Sequence, residues 1–309
     1  MTLLQAPDAV VMIRPHHFCS NPETRDDNAF QTLSNHSAAA TSEAARSEFD
    51  AAVAKLRKAG VRVHVFEDTS TETPDSVFPN NWFSTHTGGH VAIYPMFAPN
   101  RRKERRQDVI EMLKRDYRVQ DVIDYSGLEQ DGLALEGTGA MVLDHIGRIA
   151  YTVHSNRADP ILLERFCTHF NFEPIAFEAR DAQGRDVYHT NVLMGIGTGY
   201  ALICLDMIVD PERRRTVAQR LEDSGRQVID LSHAQIGEFA GNAIELTGDR
   251  RILALSSRAL ASLRPEQIAI IEKTAQPLPL DIPTIETAGG SVRCMLAGVH
   301  LTRRTERTH

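Results

Sequence analysis

Cys294 follows Gly289-Gly290-Ser291-Val292-Arg293 and stands in a short apolar run. Two glycines free the backbone to approach a ligand, and a thiol held there can act as a nucleophile. Taken alone, it fits a small buried core thiol better, the commonest fate of a free cysteine. Groups that would complete such chemistry lie far away in sequence: Glu136, His189 and Asp75, with the carboxamides of Asn81, Asn191 and Asn242. A nucleophile, an imidazole that moves protons near neutral pH and a carboxylate form the minimal set for covalent catalysis at an electrophilic carbon. Singly, each has a plainer explanation. Glu136 could cap a turn, His189 could be a satisfied core histidine, and the asparagines could be turn residues that tolerate left-handed dihedrals.

What unites these residues is their place in a repeat. From Ser42, apolar residues Ala45, Phe49, Ala52, Val53 and Leu56 recur at helical steps, Gly60 stops the helix, and Val61–Phe66 alternates as a strand. A polar loop then leads to Asn80-Asn81 and a hairpin over 82–94 with a Gly-Gly turn. The same order of helix, strand, loop and hairpin returns with helices expected over 101–116, 159–170, 211–224 and 265–273. Strands are expected near 117–123, 172–177, 227–231 and 282–286. The last hairpin has one clear strand, Val292–Leu296, whose missing partner would be the N-terminal strand Ala9–Arg14. The loop-to-hairpin junctions fall at Asn81, Gly139, Asn191, Asn242 and Arg293, in steps of roughly fifty residues. Units this short cannot bury both faces alone. The expectation is an α/β fold of five pseudo-symmetric units in one domain, residues 1–309, whose junctions converge on a central cleft.

Composition sets the outer limits. The chain has 309 residues, 42% hydrophobic and 24% charged, enough for a sizeable core. With net charge −7 and no long basic run, no nucleic acid partner is expected; Arg101–Arg106 is broken by Glu104 and reads as a solvated helix turn. Cys19, Cys167, Cys204 and Cys294 are scattered, which suits a reducing compartment. No secretory leader is visible in Met1–Val10 and no run reaches membrane-spanning length, so a cytoplasmic protein is expected. His16, His17 and Cys19 are poorly spaced as metal ligands, and Gly195–Gly199 is not followed by the helix a dinucleotide site requires; no cofactor and no metal are expected.

Five segments together resemble the arginine deiminase and amidinotransferase superfamily, and most closely its citrulline-utilisation hydrolase (CtlX-like) branch. They are Met12–Phe18, Asp75-Ser-Val-Phe-Pro-Asn-Asn-Trp-Phe83, Leu135-Glu-Gly-Thr-Gly139, His189-Thr-Asn191 and Gly289–Cys294. The resemblance implies a five-bladed αβ propeller, with Cys294 as nucleophile, His189 as general acid and base, and Glu136 as the carboxylate that supports the histidine and holds the substrate's planar nitrogen group. It matches the loop around Asn81 to the segment that grips the substrate; the converging junctions put Asp75, Asn191 and Asn242 beside it, and Arg14, Arg293 and nearby loop arginines are candidates to hold the substrate's carboxylate.

The departures from the deiminase pattern concern charge. Asn81, Gly139 and Asn191 stand where those enzymes have aspartates. A guanidinium is a buried cation that needs charge-matched acceptors, whereas a ureido group is neutral and needs donors as well, which Asn supplies. The expected substrate is therefore a ureido amino acid, citrulline first, hydrolysed to ornithine, ammonia and carbon dioxide. Arginine or a methylarginine, transfer of the group to an amine, or amino-acid binding without turnover remain alternatives. The partner is a small molecule, and assembly into a homo-oligomer is left open.

Overall fold

Five short apolar segments become the middle strands of five three-stranded sheets in the computed structural model, which describes residues 4–26, 28–32 and 37–305. They are β1 (Ala9–Pro15), β4 (His90–Ile93), β7 (Ile149–Val153), β10 (Tyr200–Ile203) and β13 (Arg251–Ser256). Most of their residues are buried, as expected of strands covered on both faces. Each carries an antiparallel neighbour on one side: β3 (Phe83–His86), β6 (Met141–Asp144), β9 (Met194–Ile196) and β12 (Ile244–Thr247) for the last four. On the other side lies a parallel strand reached through a helical crossover: β2 (Arg62–Asp68), β5 (Asp121–Asp124), β8 (Glu173–Phe177), β11 (Gln227–Asp230) and β14 (Gln276–Leu280). The N-terminal strand takes the middle place in its sheet. Its antiparallel partner is β15 (Ala297–Gly298), with Val10 opposite Gly298 and Val11 opposite Ala297.

Three of the crossover helices begin where short polar side chains satisfy the first free N–H groups. Ser37 accepts from Ala40, Asp159 from Ile161 and Leu162, and Asp210 from Glu212, the last two followed by proline. The buried apolar residues form clusters shared by neighbouring sheets. One joins the first and second sheets, one the second and third, and one the third, fourth and fifth. A further cluster joins the fifth to the first across the helix Ala38–Lys58.

Several expectations need correction. The first long helix begins at Ala38, ahead of its apolar periodicity, because Ser37 caps it there. The helix expected over 101–116 is two, Pro99–Arg102 and Gln107–Asp116. Arg101 and Glu104 are only 2% and 3% exposed and pair with each other, so this run is an interior ion pair and not a solvated turn. The strand expected at 282–286 is the turn of helix Pro283–Glu286, and the strand lies earlier, at β14. Pro277 and Pro279 are tolerated there because β14 is an edge strand that pairs only with β13. The strand expected over 292–296 is the helical turn Val292–Met295, and only Ala297–Gly298 joins β1.

A buried ion pair ties the third sheet to the segment before β11. Arg226 donates to Asp144 at 2.6 and 2.9 Å, with both side chains almost fully enclosed. Replacing one partner strands the other charge in the interior. Arg226→Met is expected to lower unfolding free energy by about 3–5 kcal/mol in urea titrations. A loss below about 1 kcal/mol, the range of an exposed pair, would contradict this reading.

Candidate active site

Four of the five junctions are tight turns of helix that run into a strand. The turns are Pro79–Asn81, Gly137–Ala140, Thr190–Leu193 and Val292–Met295, with Asn242 in the equivalent turn before β12. Hydrogen bonds link one turn to the next. Thr138 Oγ1 donates to Asn80 O at 3.1 Å, Thr190 Oγ1 donates to Ala140 O, Asn242 Nδ2 donates to Asn191 O at 3.1 Å, and Arg293 N donates to Asn242 O at 3.3 Å. Tyr188 Oη donates to Gly289 O at 2.9 Å. Close approach requires glycine at two of these places. Gly137 has φ of +44° and a Cβ would lie 2.6 Å from Asn80 O; at Gly290 a Cβ would lie 2.8 Å from the Phe78 ring.

The result is a small, partly open cavity of about 20 Å³ lined by Asp75, Asn81, Arg101, Arg157, His189 and Cys294, among others. Cys294 Sγ receives the amide groups of Asn191 and Asn242, whose Nδ2 atoms lie 3.3 and 3.2 Å away. Amide donors at these distances stabilise negative charge on sulfur. His189 Nε2 lies 2.8 Å from Glu136 Oε2. Glu136 is fully buried. Burial alone would raise its pKa, but Arg157, the His189 hydrogen bond and Arg101 together outweigh it and hold the carboxyl well below the usual carboxylate range. An ionised Glu136 accepts only, so His189 Nε2 carries the proton of that bond and Nδ1 is left to move protons. Nδ1 packs against Gly139, where a Cβ would lie 2.9 Å from it and 2.2 Å from the Asn81 carboxamide.

Arg101 was not singled out by sequence, yet it crosses the whole site. It donates to Glu104 twice at 2.9 Å and to Phe78 O at 3.3 Å, and lies 3.7 Å from both Asp75 and Glu136. The Asn81 carboxamide, oriented as its neighbours require, accepts from Arg101 at 2.6 and 3.1 Å and donates to Asn80 Oδ1 at 3.0 Å. Arg157 lies 3.4 Å from Glu136 and over the Tyr188 ring at 4.8 Å. Asp75 Oδ2 accepts from Asn21 at 2.8 Å, while Oδ1 is buried without a partner. Burial pushes the Asp75 carboxyl up, opposed by Arg101. Asn28 also lines the cavity and bonds Ala288 O at 3.3 Å.

The structure therefore brings together Cys294, His189, Glu136, Asp75, Asn81, Asn191 and Asn242. Arg293 is not with them. Its side chain leaves on the other side of the Val292–Met295 turn and lines a different cavity. Arg14, a second candidate for the substrate carboxylate, bonds Asp50 and Glu67 at the surface. The residues missed are Arg101, Glu104, Arg157 and Asn28. Only the opposite charge of Glu104 three residues after Arg101 hinted at an interior pair. Among the described residues, no group of three or more His, Cys, Asp or Glu side chains is arranged to hold a metal ion. No helix among them is long and apolar enough to cross a membrane.

Comparison with known proteins agrees with this architecture. The N-terminal domain of ArgZ, an arginine dihydrolase from the ornithine–ammonia cycle in cyanobacteria, superposes with a TM-score of 0.72. It is 18% identical, over 95% of this chain and 98% of that one. Against the larger apo ArgZ the score is 0.73 at 17% identity, and this chain spans 42% of that chain's length. The DDAH from Pseudomonas aeruginosa, in a mutant complexed with citrulline, scores 0.62 at 15% identity, covering 97% of this chain and all of that one. At such identities the likeness concerns the fold. No curated protein matches significantly.

The fold and its matches place the chain in the amidinotransferase superfamily, as a hydrolase of carbon–nitrogen bonds other than peptide bonds. Residues 14–301 match the family model for eukaryotic N,N-dimethylarginine dimethylhydrolase, and the chain belongs to that family.

The electrostatics of the His189–Glu136 pair can be tested directly. Burial lowers the His189 pKa, and the hydrogen bond and charge of Glu136 work against that effect. Glu136→Gln removes the opposing charge, so the His189 pKa is expected to fall further in an NMR titration of the imidazole. A pKa that stays in place would show that Glu136 does not govern this histidine.

Proposed function

We propose that this protein hydrolyses the ureido group of citrulline, giving ornithine, ammonia and carbon dioxide. The observation that carries the reading is the charge of the cavity. Its lining holds two arginines, Arg101 and Arg157, against one carboxylate, Asp75. Glu136 behind them is already committed to His189 and both arginines. With Glu104 and Glu136 already paired to these arginines, a guanidinium entering here would find only Asp75 as a counter-charge beside two like-charged groups, whereas a neutral ureido group meets no such repulsion. The unpartnered Asp75 Oδ1 can accept a ureido N–H, and Asn81 offers a carboxamide where a carboxylate would suit a cation. Arg101 and Arg157 are the cations placed to take the amino acid's own carboxylate. The structural relatives named for arginine dihydrolase activity and for a citrulline complex are consistent with guanidino and ureido chemistry in this fold.

In the proposed reaction, the Cys294 thiolate attacks the ureido carbon and Asn191 and Asn242 flank the sulfur. The C–N bond breaks as His189, through Nδ1, delivers a proton to the departing nitrogen. A thiocarbamate on Cys294 remains. Water, deprotonated by the same imidazole, releases a carbamate that dissociates to carbon dioxide and the second amine. One water is consumed per citrulline. We further propose that the five sheets close into a five-bladed propeller forming one domain over 1–309. The pairing of β15 with β1 and the cluster shared by the fifth and first sheets support closure. A cytoplasmic location is part of the same proposal.

Product assays across citrulline, arginine and methylarginines decide the substrate. Ornithine and ammonia from citrulline are expected, with kcat reduced by a factor of about ten thousand in Cys294→Ser. Saturating turnover of arginine without activity on citrulline would refute the proposal. Asn81→Asp adds a carboxylate beside Arg101 and is expected to lower citrulline turnover about tenfold while raising the relative rate on arginine. An unchanged preference would remove Asn81 from the argument.

A further inference from the structure

Arg293 and Cys294 are adjacent in sequence but face different spaces. Successive residues of a helical turn point about 100° apart. Cys294 enters the active-site cavity, and Arg293 enters a second, small cavity of about 20 Å³ on the other side of the turn, beside His145 and His300. Arg293 keeps part of its surface accessible, its guanidinium lining this cavity, and makes one hydrogen bond, from Nη1 to Leu296 O at 3.2 Å. Among the described residues no carboxylate pairs with it. Asp144, next to His145 in sequence, is held by Arg226 and by the N–H groups of Ile146 and Gly147. An arginine largely withdrawn from solvent without a counter-charge is rare because its desolvation is uncompensated. Burial pushes the Arg293 guanidinium down only to about 10, so it stays protonated at neutral pH.

The rest of the lining is also positive or neutral. His145 and His300 stack with ring centroids 3.8 Å apart, and His145 Nδ1 is buried without a partner. Burial, then neighbouring cationic groups, keeps both imidazoles neutral; His300 is pushed down to about 3. The hydroxyls that line the cavity are already engaged. Ser84 bonds His86 and Tyr94, Thr85 bonds Gly298 O and His300 N, and Thr138 bonds Asn80 O. The free donors that remain belong to Arg293, with the unpartnered imidazole of His145 beside it. That set is too small for a tetrahedral oxyanion, which needs donors on several oxygens, but suits a single spherical charge. We propose that this cavity binds one small monovalent anion of the halide class on the guanidinium of Arg293, directly behind the turn that carries Cys294.

Two measurements test the site. Crystals of the full chain soaked in bromide are expected to show an anomalous peak within about 3.5 Å of the Arg293 guanidinium. In solution, chloride is expected to raise the Tm by about 2 °C over methanesulfonate at equal ionic strength. Arg293→Met should lose that response. Absence of the bromide peak, or a peak with no chloride response of the wild-type Tm (binding at crystal concentration only), overturns the proposal whether or not the variant folds. An Arg293→Met protein that folds and keeps the full response overturns it as well.

Discussion

The carboxylate of Glu136 is the interaction on which the site depends. A fully buried carboxylate is costly unless charge and hydrogen bonds surround it, and here His189, Arg157 and Arg101 do so from three different segments. Each partner is constrained in turn. His189 is fixed with Nε2 inward, Arg157 is drawn across Tyr188, and Arg101 is stretched between Glu136, Asp75 and Glu104. Removing the carboxylate would leave two cations and an imidazole facing each other in an enclosed space. The network thus couples the tautomer of the histidine to the charge that a substrate meets.

That coupling is possible because the repeat delivers the same local structure several times. A helical turn followed by a strand leaves the residue at the start of the turn half inside it. Glu136, His189 and Ser291 all occupy such positions. The turns then bond to each other through Thr138, Thr190 and Asn242, so a side chain in one repeat is positioned by the backbone of the next. Precision of this kind comes from regular elements that support one another, and the site needs no long ordered loop to assemble it.

The fold order and the junctions were legible because both rest on local patterns. Apolar strands, helix caps and a spacing near fifty residues survive in a single sequence. What escaped reading depended on contacts across the chain. Beyond the opposite charge of Glu104, nothing in Pro99–Arg106 marks Arg101 as interior, since its other partners Asp75 and Glu136 lie in other repeats. Arg157 sits between a strand and a helix, outside any junction, and carried no signal. Pro277 and Pro279 argue against a strand unless the strand is known to be an edge. The placement of Arg293 was a different kind of miss. Neighbours diverge in a strand as well as in a helix, so the residue next to Cys294 should have been expected to face a different space.

The same geometry sharpens the question of substrate charge. Replacing aspartates by Asn81, Gly139 and Asn191 lowers the negative charge near Cys294, but deletion alone would leave space and uncompensated cations. Here the space at Gly139 is filled by the Asn81 carboxamide and by His189. Arg101, with Glu104 as its own counter-ion, lies against Asn81, so the neutral side chain takes part in a balanced network. A carboxylate at 81 would compete with Asp75, Glu104 and Glu136 for the same guanidinium. The neutral residue and the buried arginine are therefore two parts of one arrangement, and the proposed preference for an uncharged carbon centre rests on both together.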